Sequence, residues 1–481
     1  MNKKKIIEIF TKDTVFYGFG LSLNNAILII IFPFIARHFT VSDIAIIDFF
    51  LIFLSLTTVV VTFGLDSSLG RFYFEAKGII EKKEIISESL IYQISLIIIC
   101  IILFFIFTKF LQSKIDIIEY NLLIYYLILV QFPFIIILDF CLNLFKWKQK
   151  RNNFLFISLG SSISYSFCIL FGIYIFDISL INFFTISIII KLIWATLGFV
   201  LIIKNLTINI SFRNLKRILI FAYPLGIIGL LETLYPFLQR IIISQYQGLV
   251  SLGYFAIASK IALIFLIISQ SFQMSWGPLM LSNYKKNNFD FIAQFTVKIF
   301  LIVNSIFLVI LFYLSEYIVL FFGGQKFSNS SALIFPLCFA IFLNSLSQIT
   351  ELGITISKKS IYTLINYLIF FIFGAFFITI FSLNFNLFII SCGILISYFL
   401  KFLTISYTAN KLYLIKWPYR IIFVIILFNL SYGVINFLLL LYDFDFFSNL
   451  FFFMSILILI FYSWFHILNN DEKKIIKEFI K

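Results

Sequence analysis

The stretch SLIYQISLIIICIILFFIFTKF, Ser89 to Phe110, carries no charge before Lys109 and no proline or glycine anywhere. At 1.5 Å per residue, a helix of this length crosses a hydrocarbon layer about 30 Å thick. Its apolar residues run on without the period-two alternation of a barrel strand, so the expected form is a membrane-spanning helix whose backbone polar groups bond within the segment. Runs of the same kind recur near 15–37, 44–66, 117–140, 154–175, 180–203, 218–242, 250–275, 293–314, 331–354, 361–382, 386–409, 419–442 and 446–468. The chain is therefore expected to be an all-α polytopic membrane protein with about fourteen transmembrane helices, each using roughly 20 residues. Connections such as Phe176 to Ser179 are so short that the spans they join must run antiparallel.

Composition agrees with this reading. The 481 residues are 62% hydrophobic and 12% charged, with a mean hydropathy of +1.09, whereas soluble domains carry about 25% charged residues. A water-soluble fold is excluded. Cys100, Cys141, Cys168, Cys338 and Cys392 are scattered without a C-x-x-C pair, and the only histidines are His38 and His466. That pattern supports neither a Cys/His metal site nor a disulfide framework. No phosphate-binding G-x-x-x-x-G-K-[ST] loop occurs, so no nucleotide or other cofactor is implied. The opening MNKKKIIEIFTKDT lacks the short apolar core and cleavage site of a signal peptide and reads as a retained amphipathic lead-in.

Lysine and arginine orient the chain, because cytoplasmic connections hold an excess of them. With an even number of spans, one side collects Lys3, Lys82, Lys83, Lys146, Lys148, Lys150, Arg151, Lys204, Arg217, Lys285, Lys358, Lys411, Arg420 and Lys473, among others. The opposite side collects only Arg37, Lys109, Lys114, Arg240 and Lys326. Both termini are thus expected in the cytoplasm. The net charge of +14 follows from basic loops beside an anionic leaflet, and with no soluble basic domain it does not point to nucleic acid.

Pro33-Phe34 before Arg37 matches Pro236-Phe237 before Arg240, and Asp48-Phe49-Phe50 has a counterpart in Gly253-Tyr254-Phe255. This spacing suggests a parallel internal repeat. It predicts two pseudo-symmetric six-helix bundles around a central cavity, 1–203 and 204–409, followed by two extra helices and a cytoplasmic tail in 410–481.

Several segments carry a resemblance. FGLDSSLGRFYFEAKG (Phe63 to Gly78), LKRILIFAYPLGIIG (Leu215 to Gly229), Arg240, LGYFAIASKIA (Leu252 to Ala262) and SWGPLM (Ser275 to Met280) resemble the polysaccharide flippases that move lipid-linked O-antigen or capsule units. Those belong to the multidrug/oligosaccharidyl-lipid/polysaccharide exporter superfamily. The resemblance covers essentially the whole chain and implies alternating access in the bacterial cytoplasmic (inner) membrane. It also implies an undecaprenyl-pyrophosphate-linked oligosaccharide substrate, with a polysaccharide polymerase and a chain-length regulator as partners alongside membrane lipids.

Charges within the spans are the candidate site residues, since each costs about 2.5–3.5 kcal/mol at mid-bilayer unless paired or hydrated. Arg37 and Arg240, at equivalent outer ends of the first and seventh spans, suit a pyrophosphate because a guanidinium donates paired hydrogen bonds. Snorkelling to outer headgroups is the alternative. Lys260 and Lys191 are further candidates for the cavity lining, a structural ion pair being the other reading of Lys191. Glu232 begins a stripe with Tyr235 and Gln239, and Asp48 one with Ser55, Thr62 and Asp66. Either carboxylate could couple transport to H⁺ or Na⁺ or could lock helix packing through a basic partner. Asn344, Gln348, Glu351 and Thr355 make a third stripe, and Asp139, Lys401 and the Lys146–Arg151 connection read as interfacial.

Both signs occur, with cations in excess, which favours an anionic substrate over the cations that a multidrug exporter of the same superfamily would take. An O-antigen polymerase or ligase would need a sizeable outer loop, but the longest hydrophilic connections, 67–88 and 276–292, fall on the cytoplasmic side. No enzymatic activity is expected.

Overall fold

The computed structural model describes residues 23, 24, 26–207, 213–286, 289–441 and 445–474. The lead-in, the start of the first expected span, and Lys477 and Lys481 lie outside them. The described residues form helices and no strand. Among the described residues twelve helices are long and apolar enough to cross a membrane. The chain is a multi-pass, all-helical membrane protein. The two further spans expected from the sequence are counted differently here. Of the first expected span, 15–37, the described part includes the helix Ala26–His38, here α1. The seventh and eighth expected spans are two helices that follow one another directly within Arg213–Asn283, parted at Gly248 (φ 81°, ψ 171°), a region of φ that a residue lacking Cβ enters without strain; they are labelled together as α10.

The helices after α1 are α2 (Val41–Thr62), α3 (Leu65–Glu75), α4 (Ile79–Ile106), α5 (Thr108–Gln112), α6 (Asp116–Tyr120), α7 (Leu122–Trp147), α8 (Arg151–Phe176), α9 (Leu180–Ile202) and α10 (Arg213–Asn283). There follow α11 (Phe289–Tyr313), α12 (Ser315–Gly323), α13 (Ser331–Thr350), α14 (Leu352–Ser357), α15 (Ser360–Asn384), α16 (Leu387–Leu412), α17 (Tyr419–Leu441) and α18 (Asp445–Tyr462). Chain contacts divide these into two compact units, Met1–Gly253 and Tyr254–Lys481.

In the first unit α7 packs along α9 and also meets α2, α3, α4 and α8. The core joins Leu65, Leu69, Ile85, Ile86, Leu144, Phe145 and Phe154 to Ile218 and Ala222 of α10. The hydrophilic connection 67–88 is helical at both ends. Ile85, Ile86, Leu90 and Ile97 lie buried along one face of α4, so that helix begins ten residues before the apolar run that announces it. α2 stops because Phe63 (φ 35°) and Gly64 (φ 74°) turn left-handed. A Cβ on Gly64 would stand 2.6 Å from the Ala222 carbonyl oxygen, and one on Gly226 2.8 Å from that of Phe63. Two of the segments that carried the family resemblance therefore meet. Arg71 lies over the Phe221 ring at 4.6 Å and Arg217 over Phe72 at 5.6 Å, a reciprocal pair of cation–π contacts. Glu88, fully buried, accepts from the Leu215 backbone N–H at 2.9 Å and so ties the first turn of α10 to α4.

In the second unit α13 packs along α16, which also carries α15, while α11 holds α17 and α18. Asparagines bridge helices: Ser269 donates to Asn304 and Asn429 to Ser305, each at 2.8 Å, the polar fastening that replaces hydrophobic drive inside a bilayer. Lys298 donates to both carboxylate oxygens of Glu472 at 3.0 Å, with both side chains buried, which pins the chain beyond α18 to α11.

Candidate functional site

Asp48 comes from the middle of α2 and Arg240 from α10, and the fold brings them together. Arg240 Nε donates to Asp48 Oδ2 at 2.9 Å, and its Nη1 donates to Gln239 Oε1 at 3.1 Å. Arg240 is 5% exposed and Asp48 2%. The helices approach because Phe237 of α10 sits between Phe49 and Phe53 of α2, with ring centroids 5.5 and 5.7 Å away. Opposite charges so enclosed attract strongly but have both left water, and the pair holds only while both members are present.

The other candidates lie elsewhere. Arg37, near the end of α1, is exposed. Its neighbour His38 donates from Nε2 to the Ile178 carbonyl at 3.0 Å and lies 3.6 Å from Asp177. Glu232 is also exposed, whereas Tyr235 and Gln239 are buried, so the expected stripe divides between two environments. Lys260 is half-buried, in the second unit. Lys191 is half-buried on α9, and it is the basic group acting most strongly on Asp139 of α7.

Asp66 does not continue the face of Asp48. The left-handed turn at Phe63–Gly64 moves it onto α3, where it lies near Asn143 and Lys146. Asp139, Lys191, Asp66 and Lys146 thus form one group in the first unit, with equal numbers of each sign. Asp139 reads as an interfacial anchor only while α9 is ignored, because its opposite charge is 52 positions away in sequence.

Lys401 also departs from expectation. It is 1% exposed, donates to Asn344 Oδ1 at 2.8 Å, and stands 3.8 Å from the Tyr367 ring centroid and 5.0 Å from that of Phe370. Its charge is met by ring faces and an amide, not by headgroups. The stripe on the tenth span is divided in the same way: Asn344 meets Lys401, and Glu351, past the end of α13, accepts from Thr363 at 2.8 Å. Glu88 and Glu472 were not legible as partners, since each acts on a segment more than 100 residues away. Among the described residues no cluster of His, Cys, Asp and Glu could hold a metal ion.

No family model and no curated protein matches the sequence. Solved structures do match the fold. A lipid II flippase MurJ in an inward closed conformation aligns with a TM-score of 0.73 at 17% identity, over 93% of this chain and 98% of its own. An inward-facing multidrug resistance MATE family transporter of the MOP superfamily aligns at 0.68 and 13% identity, over 80% of this chain and 93% of its own. An outward-facing transporter of that family aligns at 0.60 and 14%, over 83% and 94%. The fold is that shared by these flippases and exporters.

Proposed function

We propose that this protein is a flippase of the multidrug/oligosaccharidyl-lipid/polysaccharide exporter superfamily, carrying a lipid-linked oligosaccharide from the cytoplasmic to the outer leaflet of the inner membrane by alternating access. The observation that carries this reading is the fold match to a lipid II flippase over 93% of the chain. An undecaprenyl-pyrophosphate carrier, for O-antigen or capsule synthesis, fits the excess of intramembrane cations among Arg37, Lys191, Arg240 and Lys260. Asp48 and Glu232 are the proposed ion-coupling carboxylates, and Asp48 through Arg240 would connect coupling to the phosphate end of the substrate. The bundles 1–203 and 204–409, the added helices in 410–481, cytoplasmic termini, and a polymerase and chain-length regulator as partners belong to the same proposal. Catalysis is not part of it: the proteins sharing the fold are transporters and flippases.

A cation-coupled multidrug exporter is the second reading, favoured by the MATE matches. The deciding experiment measures lipid-linked oligosaccharide in each leaflet of glycan-producing cells with and without the protein. Accumulation on the cytoplasmic side without it supports the flippase. An unchanged distribution, with increased sensitivity to cationic drugs, supports the exporter.

A further inference from the structure

We infer that the cleft between α16 and α17 binds an anionic phospholipid. The cleft, about 470 Å³, lies in the second unit, within the roughly 300–1,000 Å³ typical of ligand sites. It follows the last turns of α16 for about 14 Å, from Phe402 and Leu403 to Lys411, and on the facing helix from Phe423 back to Tyr419. Because the two helices run antiparallel through a short connection, the apolar lining is at the deep end and the polar lining at the loop end.

The loop end sits at headgroup depth. Tyr407 and Tyr419 line the cleft and Tyr413 follows α16 in the turn, as aromatic side chains do where hydrocarbon meets water. Two cations stand there, Lys411 in the last turn of α16 and Arg420 next to the cleft-lining Tyr419. Both are exposed, and among the described residues neither side chain has a hydrogen bond or ion pair. Lys416 differs, since it faces Asp290 at 3.9 Å. An apolar floor with one cation, Lys411, in its lining and a second, Arg420, in the first turn of the facing helix matches a ligand that has an acyl chain and a phosphate on one molecule. A soluble anion would leave the floor empty, and a zwitterionic lipid would bring an ammonium toward Lys411 and Arg420. The cleft is thus a lipid seat, and it does not depend on what the protein transports.

The test is native mass spectrometry of the purified full chain titrated with phosphatidylglycerol and with phosphatidylcholine. Phosphatidylglycerol is expected to bind in preference. Lys411→Ala and Arg420→Ala should each weaken it about fivefold, the effect of one cation beside an anionic headgroup, with phosphatidylcholine binding unchanged. Lys411→Arg and Lys416→Ala should behave as wild type, which separates charge at the cleft from a folding defect. Leu403→Trp, filling the floor, should reduce binding of both lipids. Equal binding of the two lipids by wild type, or unchanged phosphatidylglycerol binding in both alanine variants, would overturn the inference.

Discussion

Arg240 and Asp48 are joined so closely that each defines the cost of losing the other. Arg240→Ala leaves a carboxylate buried without its cation, a change worth about 3–5 kcal/mol, while Asp48→Leu with Arg240→Met removes both charges and keeps volume. The single variants are expected to melt well below wild type, and the double variant should recover most of the difference, read by thermal unfolding in detergent. Transport tells a separate story: on the proposed function, the double variant regains stability and stays inactive, whereas full activity would make the pair a packing device only. Lys148, in the connection after α7, offers a second residue-scale prediction. Burial, and then Lys150, Lys83 and Lys82 nearby, lower its pKa, so more of it is the reactive free amine at a given pH. Lys83→Gln removes one repelling cation, raises that pKa, and should slow acylation of Lys148 at about pH 9. An unchanged rate would show that Lys83 does not act on it.

At the scale of elements, the elbow between α2 and α3 depends on a residue without a Cβ. Gly64→Ala meets both a left-handed backbone and the Ala222 carbonyl of α10, and should cost about 2 kcal/mol or more. Gly78→Ala, at the other end of the same segment, has φ −149° and nothing within 4 Å of the added methyl. It should melt as wild type does. Equal loss in both would show that the segment tolerates neither change for reasons other than the elbow. These glycines also show what the sequence makes legible. The spans are local: long apolar runs announce α4, α7 and α9 wherever they occur. Interruptions inside an apolar run are less visible, because Gly64 sits among residues that would otherwise continue a helix, whereas the break at Gly248 falls between the two runs 218–242 and 250–275, and the amphipathic start of α4 carries charges that disguise it as a loop. Partners are least visible of all. Asp48 finds Arg240 and Lys298 finds Glu472 across most of a unit, so one-dimensional spacing identifies which charges need partners and not which partners they have. Asp66 and Lys401 are two cases where a local pattern pointed to the wrong environment, the first because the helix ended early and the second because the rings of Tyr367 and Phe370 belong to another helix, α15.

For the whole molecule, orientation is the property on which the direction of the proposed transport would depend, and its expected sense rests on the uneven placement of Lys and Arg. The connection after α7, with Lys148, Lys150 and Arg151, and the connection between α8 and α9, with Asp177 as its charge, lie at opposite ends of the same 26-residue helix α8. They must therefore face opposite sides of the membrane whatever the rest of the chain does. Gln149 and Asp177 are both exposed, so a cysteine at either position can be reached by a membrane-impermeant maleimide. With the native cysteines replaced, Asp177→Cys should label in intact cells and Gln149→Cys only after permeabilisation. The reverse pattern would invert the molecule. Arg37, Lys109, Lys114, Arg240 and Lys326 would then lie on the cytoplasmic side, the longest hydrophilic connections would face outward, and a polymerase or ligase acting on lipid-linked sugars would regain the outer loop it requires.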